Sequence, residues 1–349
     1  MKKLLAVVVA ICVLATASAL AGEEPEKGLP SIDLGSAKLK IGGLAQAYGM
    51  SVDQESDFQL TNLRLCADVK SKSEKWGGLL ILNFAKFQEE TDGNWLMIAD
   101  AWYEVGDQLK LHAGRMSAAG GYTTPIAAIN ETVGYPTSDP TGSFIWGVQV
   151  EKLWGDKESG TLLLADIGGL SSATAFDDPQ NWEGLEASLR LQKNLGKGNW
   201  FAGTAQWSED YLRLALDSQF HLAENFYLRG ALYWAQNSGH ESNLVGGYVM
   251  AVWEPINRFE IHGMIDAWDL QAKTWEETEV NFDRESGAIS VDQVKLSSST
   301  ENNIAVTLGG RVFLTKDRNL TLTGDVVIPV TDEDKDADPK VEARISYKF

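Results

Sequence analysis

About sixteen segments of roughly ten residues alternate apolar with polar side chains, and every second connection between them is short. The segments are 37–48, 58–70, 76–88, 95–105, 108–117, 144–154, 159–168, 182–193, 199–208, 210–221, 225–236, 242–254, 257–270, 302–314, 319–329 and 339–349. Period two puts successive side chains on opposite faces, so each segment separates two unlike surroundings. Leu212, Leu214 and Leu216 stand against Arg213, Ala215 and Asp217 in this way. The last nine residues, Val341 to Phe349, do the same and stop on an aromatic. Connections 71–75, 106–107, 155–158, 194–198, 222–224, 255–256 and 315–318 are brief. Those at 49–57, 118–143, 169–181, 271–301 and 330–338 are long and rich in Gly, Ser, Pro and acids. Short turns on one side and long loops on the other fit a barrel that crosses a membrane with its strands. The expected fold is all-β, a transmembrane antiparallel β-barrel of about sixteen strands.

The chain begins with Lys2 and Lys3, an apolar run from Leu4 to Leu14, and Ala19-Leu20-Ala21 before Gly22. This pattern reads as a cleavable secretory signal over residues 1–21, the apolar run being too short to span a bilayer as a helix. A periplasmic linker over 22–36 and a barrel over 37–349 follow. Cys12 leaves with the signal, so Cys66 is the single thiol of the mature chain and has no internal disulfide partner.

Acidic residues number 49 against 30 basic ones, a formal net charge of −19, which excludes nucleic acid as a natural partner. All nine prolines fall in the linker, in expected connections or at strand ends, where no ladder donor is lost. Trp76, Trp95, Trp146, Trp182 and Trp200 lie near strand starts, and Trp154, Trp207, Trp234, Trp253 and Trp268 near strand ends. That placement matches the aromatic girdles of a membrane barrel.

A barrel of this size encloses water, because side chains from about eight strands already fill a smaller one. Residues opposite the outward leucines, isoleucines and valines then line the lumen. The pore-lining candidates are Arg64, Asp68, Glu186, Arg190, Arg213, Asp217, Arg229, Arg258, Glu260, Asp266, Arg311 and Arg344. Guanidinium groups bind oxyanions through a planar fork, so these arginines either guide anions or pair with the neighbouring carboxylates as an ordinary solvated wall. The third connection on the long-loop side, 118–143, is unusually apolar and is expected to fold into the lumen, with Tyr122, Ile126, Ile129 and Glu131 as constriction candidates. A subunit contact is the other reading of that loop.

Phe58-Gln59-Leu60, Leu63-Arg64-Leu65, Ile98-Ala99-Asp100-Ala101-Trp102-Tyr103, Leu109 to Gly114-Arg115-Met116, and Trp146-Gly147-Val148-Gln149-Val150 together resemble the N-terminal half of the phosphate-selective porin O and P family. The likeness covers roughly residues 37 to 168. It implies a trimeric sixteen-stranded porin of the bacterial outer membrane, in contact with lipid and lipopolysaccharide and passing small hydrophilic solutes or ions, oxyanions such as phosphate among them. Arg115-Met116 stands where that family has Gln-Phe, and simple parity points Arg115 outward unless a bulge turns it. The acidic balance also departs from the lysine excess of a phosphate trap.

His112, His221, His240 and His262 form no His-x-x-x-His pair, and no Gly-x-Ser-x-Gly elbow is present, so no catalytic residue, metal or cofactor is expected. The acids from Asp332 to Asp338 lack the glycine of a calcium loop. A surface-binding or adhesive barrel acting through its acidic outer loops is the alternative to a pore. Intact-mass measurement of the exported chain is expected to show removal of residues 1–21; a mass that retains them excludes the signal reading.

Overall fold

The computed structural model describes residues 31–52, 55–84, 96–119, 144–170, 185–208, 211–237, 242–272, 278–282, 289–293, 300–330 and 339–348. In chain order the strands are β1 (Ser31–Asp33), β2 (Ala37–Val52), β3 (Glu55–Ser71), β4 (Trp76–Asn83), β5 (Leu96–Gly106), β6 (Leu109–Ser117), β7 (Phe144–Trp154), β8 (Thr161–Leu170), β9 (Leu185–Gly196) and β10 (Asn199–Trp207). They continue as β11 (Tyr211–Ala223), β12 (Phe226–Asn237), β13 (Ser242–Ile256), β14 (Phe259–Ala272), β15 (Thr278–Phe282), β16 (Ile289–Gln293), β17 (Thr300–Phe313), β18 (Leu320–Pro329) and β19 (Lys340–Lys348).

Each strand from β2 to β14 pairs antiparallel with the next, β14 pairs with β17, and β17 to β19 follow in order. The ring closes where β19 meets β2, from Val341 opposite Ser51 to Lys348 opposite Leu44. Sixteen strands therefore form one closed sheet, and the closing strand is the alternating C-terminal segment; Phe349 lies outside the described residues. Closure is what a membrane demands of a sheet, because an open edge would leave backbone donors and acceptors unsatisfied in hydrocarbon.

Exposure separates the two faces. Leu216, Leu232 and Val249 are 64%, 67% and 60% exposed, whereas Asp217, Tyr233 and Met250 beside them are 3%, 2% and 0%. The apolar face points out and the polar face in, so the molecule is turned inside out relative to a water-soluble sandwich. Trp76, Trp154 and Trp253 are exposed beside the short-turn rim and Trp207 near the other rim. Trp200 departs from the expected girdle: Arg190 lies 5.6 Å from its ring on the inner face. Trp95 and Trp182 fall outside the described residues.

Seven short turns share one rim, between β3 and β4, β5 and β6, β7 and β8, β9 and β10, β11 and β12, β13 and β14, and β17 and β18. The β9–β10 turn runs through Gly196 (φ +83°), Lys197 (+55°) and Gly198 (+76°), a left-handed path that two glycines make accessible. In the β7–β8 turn, Asp156 accepts hydrogen bonds from the Ser159 hydroxyl (2.7 Å) and from the Ser159 and Glu158 N–H groups (2.7 and 2.9 Å). The Ser159 bonds hold its carboxyl below the usual carboxylate range, so the turn is stabilised at neutral pH and loses that support as the carboxyl protonates in acid.

Several boundaries differ from the sequence reading. Strands β2 and β3 run on to Val52 opposite Glu55, so most of the connection expected at 49–57 belongs to the two strands. The connection at 271–301 contains a separate hairpin, β15 with β16. Within the linker, β1 adds three residues to the ladder beside Lys38 to Lys40 of β2.

Leu216→Arg on the outward belt is expected to destabilise the barrel by about 2–4 kcal/mol, against roughly 0–1 for Leu222→Arg near the rim. Reversible denaturation in lipid vesicles measures both. Equal costs would contradict the assignment of the belt.

Candidate functional site on the inner wall

Inward side chains on neighbouring strands form rows, and two charged pairs reach across an intervening strand that carries a small residue between them. Arg190 on β9 reaches Asp217 on β11 past Ala202 and Thr204 of β10. Its two terminal nitrogens meet the two carboxylate oxygens at 2.8 and 3.0 Å, and Nη1 also donates to Thr204 Oγ1 at 3.1 Å. Both side chains are 1% exposed. This is the planar, fork-to-fork geometry in which an arginine binds a carboxylate best.

The same device recurs further round. His262 on β14 and Asp325 on β18 stand in one row with Gly309 of β17 between them, and their side chains meet at 2.7 Å. A Cβ at position 309 would come within 2.0 Å of Asp325 Oδ1, so glycine is what lets the bridge pass. On the other side, Gln206 donates to the fully buried Glu186 and accepts from Arg213 Nη1 at 3.3 Å; Arg213 lies 5.7 Å from the Tyr233 ring.

The remaining candidates take these places. Arg229 donates to Gln219 (3.0 Å from Nε) and stands over Tyr227. Arg311 pairs with Glu260 (2.9 Å from Nε) and packs on Phe313. Asp266 and Arg344 are buried inward, Arg344 in register with Thr323 and Tyr48. Arg64 is half-buried and Asp68 exposed on β3. Arg258 is not on the wall: β13 extends to Ile256, and Arg258 sits exposed in the turn beyond it. Tyr122, Ile126, Ile129 and Glu131 lie outside the described residues. Among the described residues, no cluster of three or more His, Cys, Asp or Glu has the arrangement to hold a metal.

Two inner clusters went unread in the sequence. His112 meets Asp100 at 2.8 Å, and Lys110 meets Glu151 at 2.6 Å while standing over Trp102. Asp166 on β8 accepts from the Ser188 hydroxyl, from Gln149 Nε2 (3.2 Å) and from the Ala119 backbone N–H. That last bond carries geometric weight. Ser117 ends β6 beside Phe144 of β7, and Asp166 lies one strand further, on the inner face. The chain therefore crosses the inside of β7 as it leaves β6, and Ala118 and Ala119 are both fully buried. Gly114, at φ +131°, breaks the β6 backbone just before Arg115, which is 4% exposed. A lone Asp in the otherwise apolar run Leu162 to Ile167 was the one signal for this anchor.

The fold and wall define a closed sixteen-stranded transmembrane barrel with an apolar exterior and a charged interior, a structure of the bacterial outer membrane. Solved structures share it. The outer membrane channel DcaP of Acinetobacter baumannii aligns over 91% of this chain and 99% of its own, at a TM-score of 0.62 and 12% identity. Salmonella typhi OmpF, in complex with daunomycin, aligns over 92% and 100% at 0.61 and 12% identity. The anion-selective porin of Comamonas acidovorans aligns over 90% and 100% at 0.60 and 9% identity. No family model and no curated protein matches the sequence.

Asp217→Ala is expected to cost about 3–5 kcal/mol, because it strands the Arg190 guanidinium in the wall. Replacing both partners by apolar residues of similar volume is expected to be near neutral. Denaturant titration of the two variants distinguishes a buried pair from a solvated one.

Proposed function

We propose that the chain is an outer-membrane porin, a water-filled channel through which small hydrophilic solutes or ions diffuse. The observation that carries this reading is the closed sixteen-strand wall with its charged residues turned inward. Polar side chains also face inward where the wall is less buried, Arg64 and Asp100 half-buried and Asp68 exposed, and polarity there serves a lumen that holds water. The fold shared with DcaP, OmpF and the Comamonas anion-selective porin supports the same reading.

In this proposal the third connection narrows the pore. Asp166, itself bonded by Gln149 and Ser188, accepts from the Ala119 N–H on the inner wall, and the apolar residues that follow, Tyr122, Ile126 and Ile129 with Glu131, form the constriction. The outward belt contacts outer-membrane lipid and lipopolysaccharide, and the protein assembles as a homotrimer, as Vibrio cholerae OmpT of this fold does in its trimer form. Oxyanions such as phosphate are among the candidate solutes, since arginines line the wall.

Purified protein in planar bilayers is expected to give stepwise ion conductance, and Asp166→Ala, which removes the acceptor that holds Ala119, is expected to raise the single-channel conductance or its noise. Well-folded protein that carries no current would end the porin reading. Unchanged conductance in the Asp166 variant would instead remove only the constriction.

A further inference from the structure

The seam between β19 and β2 is not closed by β19 alone. β19 pairs with β2 from Val341 opposite Ser51 to Lys348 opposite Leu44, and β2 runs seven residues further, down to Ala37. Along its other edge β2 stays paired with β3 over that stretch, Lys40 with Asp68, Leu39 with Val69 and Ala37 with Ser71. The edge that faces β19 would therefore be bare at the short-turn rim. A bare edge leaves backbone donors and acceptors without partners.

β1 takes that place. Ser31, Ile32 and Asp33 stand opposite Lys40, Leu39 and Lys38, and β3 holds the other side of the same three residues. β1 and β19 therefore share one edge of β2, and since both are antiparallel to it they run in the same direction. They lie in line, with Ile41, Gly42 and Gly43 of β2 between them.

The turn that carries β1 back is tied down twice. It passes through Gly35 at φ +83°, a backbone that glycine makes accessible. The Leu34 N–H donates to the Ala37 carbonyl (2.9 Å) and the Gly35 N–H to the Asp33 carboxylate (2.8 Å). Lys72, in the β3–β4 turn, donates its backbone N–H to the Ser36 carbonyl (2.9 Å) and its ammonium to Asp33 (2.8 Å). That ion pair is exposed and stabilises little by itself, so the ladder and turn bonds hold the segment. Residues 31–36 are all exposed. A segment held by backbone bonds without burial is among the first to open.

We infer that residues 31–36 are a clasp on the barrel seam: β1 keeps the foot of β2 paired, and the seam opens from this end once β1 detaches. The lifetime of the closed ring then depends on a three-residue ladder. The inference stands apart from the porin reading, because it concerns closure and not what passes through the lumen.

Two variants test it. The Leu34–Ala37 bond and antiparallel alternation direct the Ile32 N–H to Leu39, so Ile32→Pro removes a ladder donor. The same alternation makes Ser31 and Lys40 a non-hydrogen-bonded pair, with a Cα spacing of about 4.5 Å that suits a disulfide. Ser31→Cys with Lys40→Cys is made in a Cys66→Ser background, since Cys66 is the only cysteine after residue 21. Protein folded in lipid vesicles is followed by hydrogen exchange of peptides spanning 37–43 and 341–348, with 211–237 as the internal reference, and by its unfolding half-life in denaturant. Expected for Ile32→Pro are several-fold faster exchange in both seam peptides and a shortened half-life, with the reference peptides unchanged. The oxidised cysteine pair is expected to unfold several-fold more slowly than its reduced form. Wild-type exchange and half-life in Ile32→Pro would overturn the clasp. Equal half-lives of the oxidised and reduced pair would also overturn it, a comparison that stands even where the proline variant does not fold. Faster exchange confined to 37–43, with 341–348 unchanged, would overturn opening from this end.

Discussion

The whole molecule is built on a ladder with no free edge. A peptide group left unpaired in hydrocarbon costs several kcal/mol, so a sheet can cross a bilayer only by closing on itself. Once β19 pairs with β2, the sixteen strands have fixed an inside and an outside, and strict alternation assigns each side chain to one of them. The outward leucines and the inward charges are two consequences of that single closure.

Inside the wall, polarity does not by itself mean a free charge. The barrel places long side chains next to glycine, alanine or threonine on the intervening strand, and the long ones then reach two strands away to find a counter-charge. Arg190 with Asp217 past Ala202, and His262 with Asp325 past Gly309, are built on the same principle. Such pairs pin neighbouring strands in register and neutralise the wall.

Much of this was legible in the residues. Strands with one clearly apolar face, such as β11 with Leu212, Leu214 and Leu216, declared both their existence and their orientation. The seven short turns announced which rim they share. Where both faces are apolar, as in β4 (Trp76–Asn83) and β8 (Thr161–Leu170), period two carries no sidedness, and Asp166 passed unremarked. Arg258 was misplaced onto the wall because β13 runs two residues past the point where Pro255 suggested a turn. Trp200 looked like a girdle residue by its position at a strand start, but parity turns it inward against Arg190.

Residue order alone was enough for the architecture: a period of two and turns of alternating length leave a membrane barrel as the one fold that satisfies every backbone group and both solvents. How the inner wall is wired emerged only in three dimensions. Partners such as Arg190 and Asp217 are 27 positions apart in the chain and two strands apart in space, so their meeting depends on strand stagger around a closed ring. Stagger is a property of the whole cylinder, and alternation along one strand holds no record of it.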